Sequence, residues 1–159
     1  MNLNEIDIHK ELKKYFGFNQ FKGLQEQVIK SIISQNNTFV IMPTGGGKSL
    51  VTQALGYETP GLTIVVVPTV SLAMDQERIA KSNIKCVREN EVFCYYSGIK
   101  NFEEIANAIK KQTAKLLFIS PEALIKNAQF QQLIQSANSK KYINVFFILY
   151  IWNHDFLCI

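Results

Sequence analysis

A chain of 159 residues with 47% hydrophobic and 19% charged side chains is long enough for one core-bearing domain and too apolar to be disordered. Its formal net charge of +4 suits a polyanionic partner and equally a plain soluble surface, so charge alone selects no function. Cys86, Cys94 and Cys158 form no C-x-x-C pair, and an odd thiol count behind an N-terminus without an apolar leader region points to reduced cysteines and a cytoplasmic setting. The apolar run from Tyr142 to Trp152 is about half of the roughly 20 residues a spanning helix needs, so no membrane partner is expected.

In chain order, residues 5–16 place Ile8, Leu12, Tyr15 and Phe16 on one face at helical spacing, which predicts an amphipathic helix ended by Gly17. A second helical pattern runs through Val28, Ile29, Ile32 and Ile33 and closes at the polar Gln35-Asn36-Asn37. Thr38–Met42 is a short apolar strand stopped by Pro43, and a helix is expected from about Lys48 to Tyr57. Leu62–Val67 is a near-continuous β-branched run, the pattern of a strand buried on both faces. Helix is expected again over Val70–Lys81, strand over Glu91–Tyr95 and helix over Asn101–Lys111. Lys115–Ile119 is another buried strand, followed by helix over Glu122–Ser136 and a last apolar strand over Tyr142–Ile151. Strands alternating with helices imply a parallel sheet wound by right-handed crossovers.

The densest chemistry lies between the first strand and the third helix. Gly45, Gly46 and Gly47 let successive backbone N–H groups turn inward toward an anion, and the helix that follows adds the partial charge of its N-terminus. Lys48 and Ser49 then stand where a phosphate-binding P-loop has the lysine that reaches the β- and γ-phosphates and the hydroxyl that holds Mg²⁺. Thr44 opens the loop. Met42 stands where the general G-x-x-x-x-G-K-[ST] pattern has its first glycine, so the strict motif is incomplete.

Ligands of such a sheet bind at the carboxyl ends of its strands. That edge collects Pro43–Ser49, Pro68–Ser71 and Ser120–Glu122, each following a buried strand and each carrying proline and hydroxyl residues. His9 and His154 read as polar surface positions, and the Lys110-Lys111-Lys115 and Lys140-Lys141 groups as solvated surface.

With these segments in place the chain resembles the first RecA-like lobe of a superfamily 2 helicase, and within that superfamily it is most similar to the RecQ family. Met42-Pro-Thr-Gly-Gly-Gly-Lys-Ser-Leu50 matches the RecQ form of motif I, Met42 included. Phe18-Asn-Gln-Phe-Lys-Gly-Leu-Gln25 resembles the adenine-recognition motif, which implies Gln25 reading the adenine edge with Phe18 and Lys22 beside the base. Val65–Gln76 resembles motif Ia and Phe118–Leu124 motif Ib. These imply contacts from Pro68, Thr69, Ser71, Ser120 and Glu122 to the backbone of single-stranded or forked DNA, with RNA the weaker alternative.

The resemblance implies a three-layer α/β P-loop NTPase fold of RecA-like type with a mainly parallel sheet. Residues 1–36 would carry the N-terminal helices and the adenine motif, and residues 37–159 a lobe incomplete at its C-terminal end. ATP and Mg²⁺ are the implied cofactors, with Lys48 and Ser49 as the catalytic pair and Ser49 on the metal. In the complete enzyme these parts imply ATP-driven 3′-to-5′ unwinding.

One part is missing. The family follows its next strand with Asp-Glu-Ala-His and then Trp-Gly-His-Asp-Phe. Here Trp152-Asn-His-Asp-Phe156 resembles the second piece, while no acidic residue occurs between Glu122 and Asp155. Without the Asp-Glu pair and the second lobe, negligible hydrolysis is expected. The alternative is a degenerate nucleotide- or DNA-binding module. A P-loop kinase or small GTPase would leave the two DNA-type loops unexplained. The tail after about Asn144 reads as a broken end whose apolar strand would be exposed to aggregation.

Overall fold

The computed structural model describes residues 7–43, 45–98, 100–152 and 155–158. Its helices are α1 (Ile8–Phe16), α2 (Gln25–Ile33), α3 (Lys48–Glu58), α4 (Val70–Asn83), α5 (Phe102–Lys110), α6 (Pro121–Lys126) and α7 (Ala128–Ser139). The strands are β1 (Val40–Met42), β2 (Leu62–Val66), β3 (Val92–Tyr95), β4 (Leu116–Ile119), β5 (Ile143–Trp152) and β6 (Asp155–Cys158).

The six strands form a sheet in the order β1-β6-β5-β2-β4-β3. The ladders β2–β4, β2–β5 and β3–β4 are parallel, while β6 runs antiparallel to both β5 and β1. β1 therefore points the same way as the other four, and the sheet is mainly parallel. Alternation along β2 divides the core into two layers. Val65 and Val67 join α1 to α4 on one face, and Leu62, Ile64 and Val66 join α5 to α7 on the other. Leu62, Ile64 and Val65 have no exposed surface, and burying each contributes roughly 1.5–3 kcal/mol. α1 and α2 pack into the same cluster as α3, which brings the N-terminal motif against the glycine loop.

α3 is buried along most of its length because it lies flat on the sheet. Gly56 permits that approach: a Cβ there would stand 2.5 Å from Leu116 Cγ on β4. Local capping fixes two of the helix starts at the ligand edge, those of α4 and α6. Thr69 Oγ1 accepts from Leu72 N at 3.2 Å, and Ser120 Oγ accepts from Ala123 N at 3.4 Å, with Pro121 at the first helical position.

Two expectations change. The helix expected over Glu122–Ser136 is two helices, because Asn127 leaves helical geometry (φ −100°, ψ 99°) and its side chain accepts from Phe130 N at 3.0 Å to start α7. The last apolar strand is also not an edge. β6 pairs antiparallel with β5, so β5 lies between β2 and β6, and β1 and β3 form the edges. β6 itself was not expected. Thr44, Asn153 and His154 lie outside the described residues.

Candidate nucleotide-binding site

β1 delivers the chain to the ligand edge at Met42, whose side chain is 3% exposed. The loop that follows is held by its own backbone, Gly46 N donating to Pro43 O at 2.9 Å and Leu50 N to Gly47 O at 3.1 Å. Gly45 and Gly47 take φ of +79° and +78°, left-handed conformations that a side chain disfavours. Gly47 caps α3, so the loop runs straight into a helix N-terminus, an arrangement suited to phosphate.

Lys48 Nζ donates to the carbonyls of Met42 and Pro43, both at 2.7 Å. The ammonium is thus held at the end of β1 by charge-assisted bonds.

The adenine-type motif meets this loop directly. Gln25 is 3% exposed. Its Oε1 accepts from Lys22 N at 2.8 Å, and its Nε2 donates to Gly47 O at 3.2 Å. One amide therefore fixes the turn that carries Lys22 and the backbone that shapes the phosphate loop. Beyond these bonds the amide has a second N–H and a second lone pair.

Between these parts opens a cavity of about 620 Å³, within the usual range for a small-molecule site. Phe18, Lys22 and Gln25 line it together with Gly45, Gly46, Gly47 and Ser49, so most of the residues predicted to hold a nucleotide meet in one space. Phe18 is 51% exposed. Lys48 does not line the cavity, because it is turned toward the end of β1. Sequence reasoning missed Gln53, Ser82 and Asn83, which also line it. Gln53 stands one helical turn after Ser49, a spacing that could have found it. Ser82 and Asn83 arrive from the far end of α4 and carry no local signal.

The second group of predicted residues divides by accessibility. Thr69, Ser71 and Glu122 are exposed and Pro68 is half-buried, at the ends of the adjacent strands β2 and β4. Ser120 is 1% exposed, with its hydroxyl spent on capping α6, so it shapes this surface from beneath. β5 and β6 stand between this pair of loops and β1.

Among the described residues, no group of three or more His, Cys, Asp or Glu side chains is placed to hold a metal ion. Likewise, no described helix is long and apolar enough to cross a membrane.

Comparison with known proteins identifies the family. The DEAD/DEAH box helicase family matches residues 22–146, a span that includes the glycine loop and both hydroxyl-bearing loops. The chain is 31% identical over 156 residues to the RecQ-like DNA helicase blm-1 of Caenorhabditis elegans, covering 94% of this chain and 16% of that protein. It is 32% identical over 149 residues to the probable ATP-dependent DNA helicase RecS of Bacillus subtilis, covering 94% and 29%. It is 31% identical over 146 residues to the ATP-dependent DNA helicase RecQ of Haemophilus influenzae, covering 91% and 23%. The chain thus spans less than a third of the length of these relatives. It belongs to the DEAD/DEAH box helicase family, and the relatives it matches over nearly its whole length are RecQ-like DNA helicases.

Proposed function

We propose that this chain is the ATP-binding lobe of a RecQ-like DNA helicase, which in complete form unwinds DNA 3′ to 5′. The observation that carries the reading is the cavity in which the adenine-type motif and the glycine loop meet, joined by the bond from Gln25 to Gly47. In it, Phe18 and Lys22 flank the base and Gln25 reads its edge. Thr44, Gly45, Gly46 and Gly47 wrap the phosphates with Lys48, and Ser49 places its hydroxyl on Mg²⁺. With no metal-holding cluster of carboxylates among the described residues, a magnesium ion would depend on Ser49 and on the phosphates that bring it.

Pro68, Thr69, Ser71 and Glu122, supported by Ser120, form a track for the backbone of single-stranded or forked DNA. Residues 1–36 supply base recognition and residues 37–159 the lobe itself, with a second RecA-like lobe as the partner that completes the enzyme. The cytoplasm is the proposed location.

A second reading is favoured by one observation: no acidic residue occurs between Glu122 and Asp155, so the metal-holding pair of the hydrolytic machinery is missing. On that reading the chain binds nucleotide or DNA and does not turn ATP over. A thermal-shift titration with Mg·ATP, paired with a phosphate-release assay, tests both. Ligand at 100 times its dissociation constant stabilises a folded binder by about 2.7 kcal/mol, which raises the melting temperature. A rise without phosphate release assigns binding without turnover. No rise refutes both readings of the cavity as a nucleotide site.

A further inference from the structure

Gln53 is 1% exposed on α3, and its Nε2 is buried without a hydrogen-bond partner among the described residues, although Gln53 lines the nucleotide cavity. A buried amide donor left unpaired is costly, and α3 buries apolar residues close to this position: Val51, Ala54 and Leu55 are all buried. An apolar side chain of similar length would suit this packing better. An unspent donor at the wall of a binding cavity is the kind of local cost that a ligand relieves.

Its place along the cavity narrows what it meets. Ser49 and Leu50 line the same wall one turn earlier, next to the glycine loop. Gln53 is therefore a turn farther along α3 from the phosphate end. Gln25, the other buried amide here, has its oxygen on Lys22 N and its nitrogen on Gly47 O, whereas Gln53 Nε2 has no such commitment.

We propose that Gln53 is a nucleotide-binding residue whose Nε2 donates to an acceptor on the nucleoside half of the bound nucleotide. The proposal rests on the reading of the cavity as an ATP site. It assigns to α3 a second function beyond presenting Lys48 and Ser49: its next turn senses whether a nucleoside accompanies the phosphates.

The test uses the full chain and its Gln53→Met variant, with Gln53→Leu as a second apolar replacement. Melting temperature is read without ligand, and Mg·ATP and Mg·tripolyphosphate affinities are read by calorimetry. The expected result is an unchanged or higher melting temperature, an ATP dissociation constant raised about tenfold, and tripolyphosphate binding reduced much less. A purely structural glutamine would instead lower the melting temperature. Unchanged ATP affinity, a lowered melting temperature in both variants, or equal losses for ATP and tripolyphosphate would overturn the assignment and leave the ATP site standing. Failure of the unsubstituted chain to bind ATP would refute the site itself, and Gln53's role with it.

Discussion

Gln25 and Gly47 stand 22 positions apart in sequence, yet Gln25 Nε2 donates to Gly47 O at 3.2 Å. The contact leaves no room for a larger residue at Gly47, where a Cβ would come within 2.0 Å of that same nitrogen. Gly47→Ala must both hold a left-handed φ and displace Gln25. Destabilisation of about 1–2 kcal/mol is expected from the backbone alone, together with loss of ATP binding. Gly45→Ala is the internal comparison. It shares the positive φ, but its Cβ meets nothing within 4 Å, so it should lose stability without breaking the link between the two motifs. Denaturant melts and ATP titrations of the pair separate backbone strain from the broken contact.

Gly56 tests the seating of α3 on the sheet. An added methyl would stand 2.5 Å from Leu116 Cγ, and both residues sit in well-packed surroundings. Gly56→Ala should lose about 1–3 kcal/mol through overpacking, despite alanine's better helix propensity. A chemical denaturation midpoint that rises would show that α3 does not pack this closely on β4.

Glu58, at the end of α3, is 5% exposed, and neither carboxylate oxygen has a hydrogen-bond partner among the described residues. Burial first, and the Glu11 charge second, push its carboxyl from 4.5 up to about 8. The folded chain therefore holds a proton that the unfolded chain releases above pH 4.5. Its contribution to stability is whole below that pH, shrinks as pH rises and is gone above about 8. Glu58→Gln should flatten this slope and make the variant more stable than the parent at pH 8 by roughly 2–4 kcal/mol. Parallel stability curves for the two proteins between pH 5 and 8 would contradict it.

Thr69 and Ser120 both cap helices at the proposed nucleic-acid edge, but only Thr69 is exposed. Replacing either with alanine should lower stability by about 1 kcal/mol. Binding should separate them: Thr69→Ala weakens single-stranded DNA several-fold, while Ser120→Ala acts through stability alone. Fluorescence anisotropy with a labelled oligonucleotide reads the difference, and equal losses in affinity would assign Ser120 a direct contact.

Much of this was legible in the sequence because the signals are local. Leu62–Val67 and Lys115–Ile119 read as buried strands because β-branched and aromatic side chains fill both faces. Gly45 to Ser49 read as a phosphate loop because lysine and serine follow glycines at a strand-to-helix junction. β6 escaped because nothing in Asn153-His154-Asp155 marks a hairpin as a glycine turn would, and its pairing with β1 joins residues more than a hundred positions apart. Asn127 escaped because an apolar helical period runs through it and its capping bond interrupts the period in space only. The burial of Ser120 escaped for a related reason: a serine before a proline reads the same whether its hydroxyl faces a strand of DNA or a helix end.

The central claim is that the space between Phe18, Gln25 and the Gly45–Ser49 loop holds a nucleotide. Calorimetric titration of the folded chain with Mg·ATP, beside its Lys48→Ala variant, tests it most directly. The account predicts saturable one-to-one binding by the parent chain and its loss in Lys48→Ala, with both proteins folded. Equal binding by the two, or no binding by a folded parent chain, would contradict it.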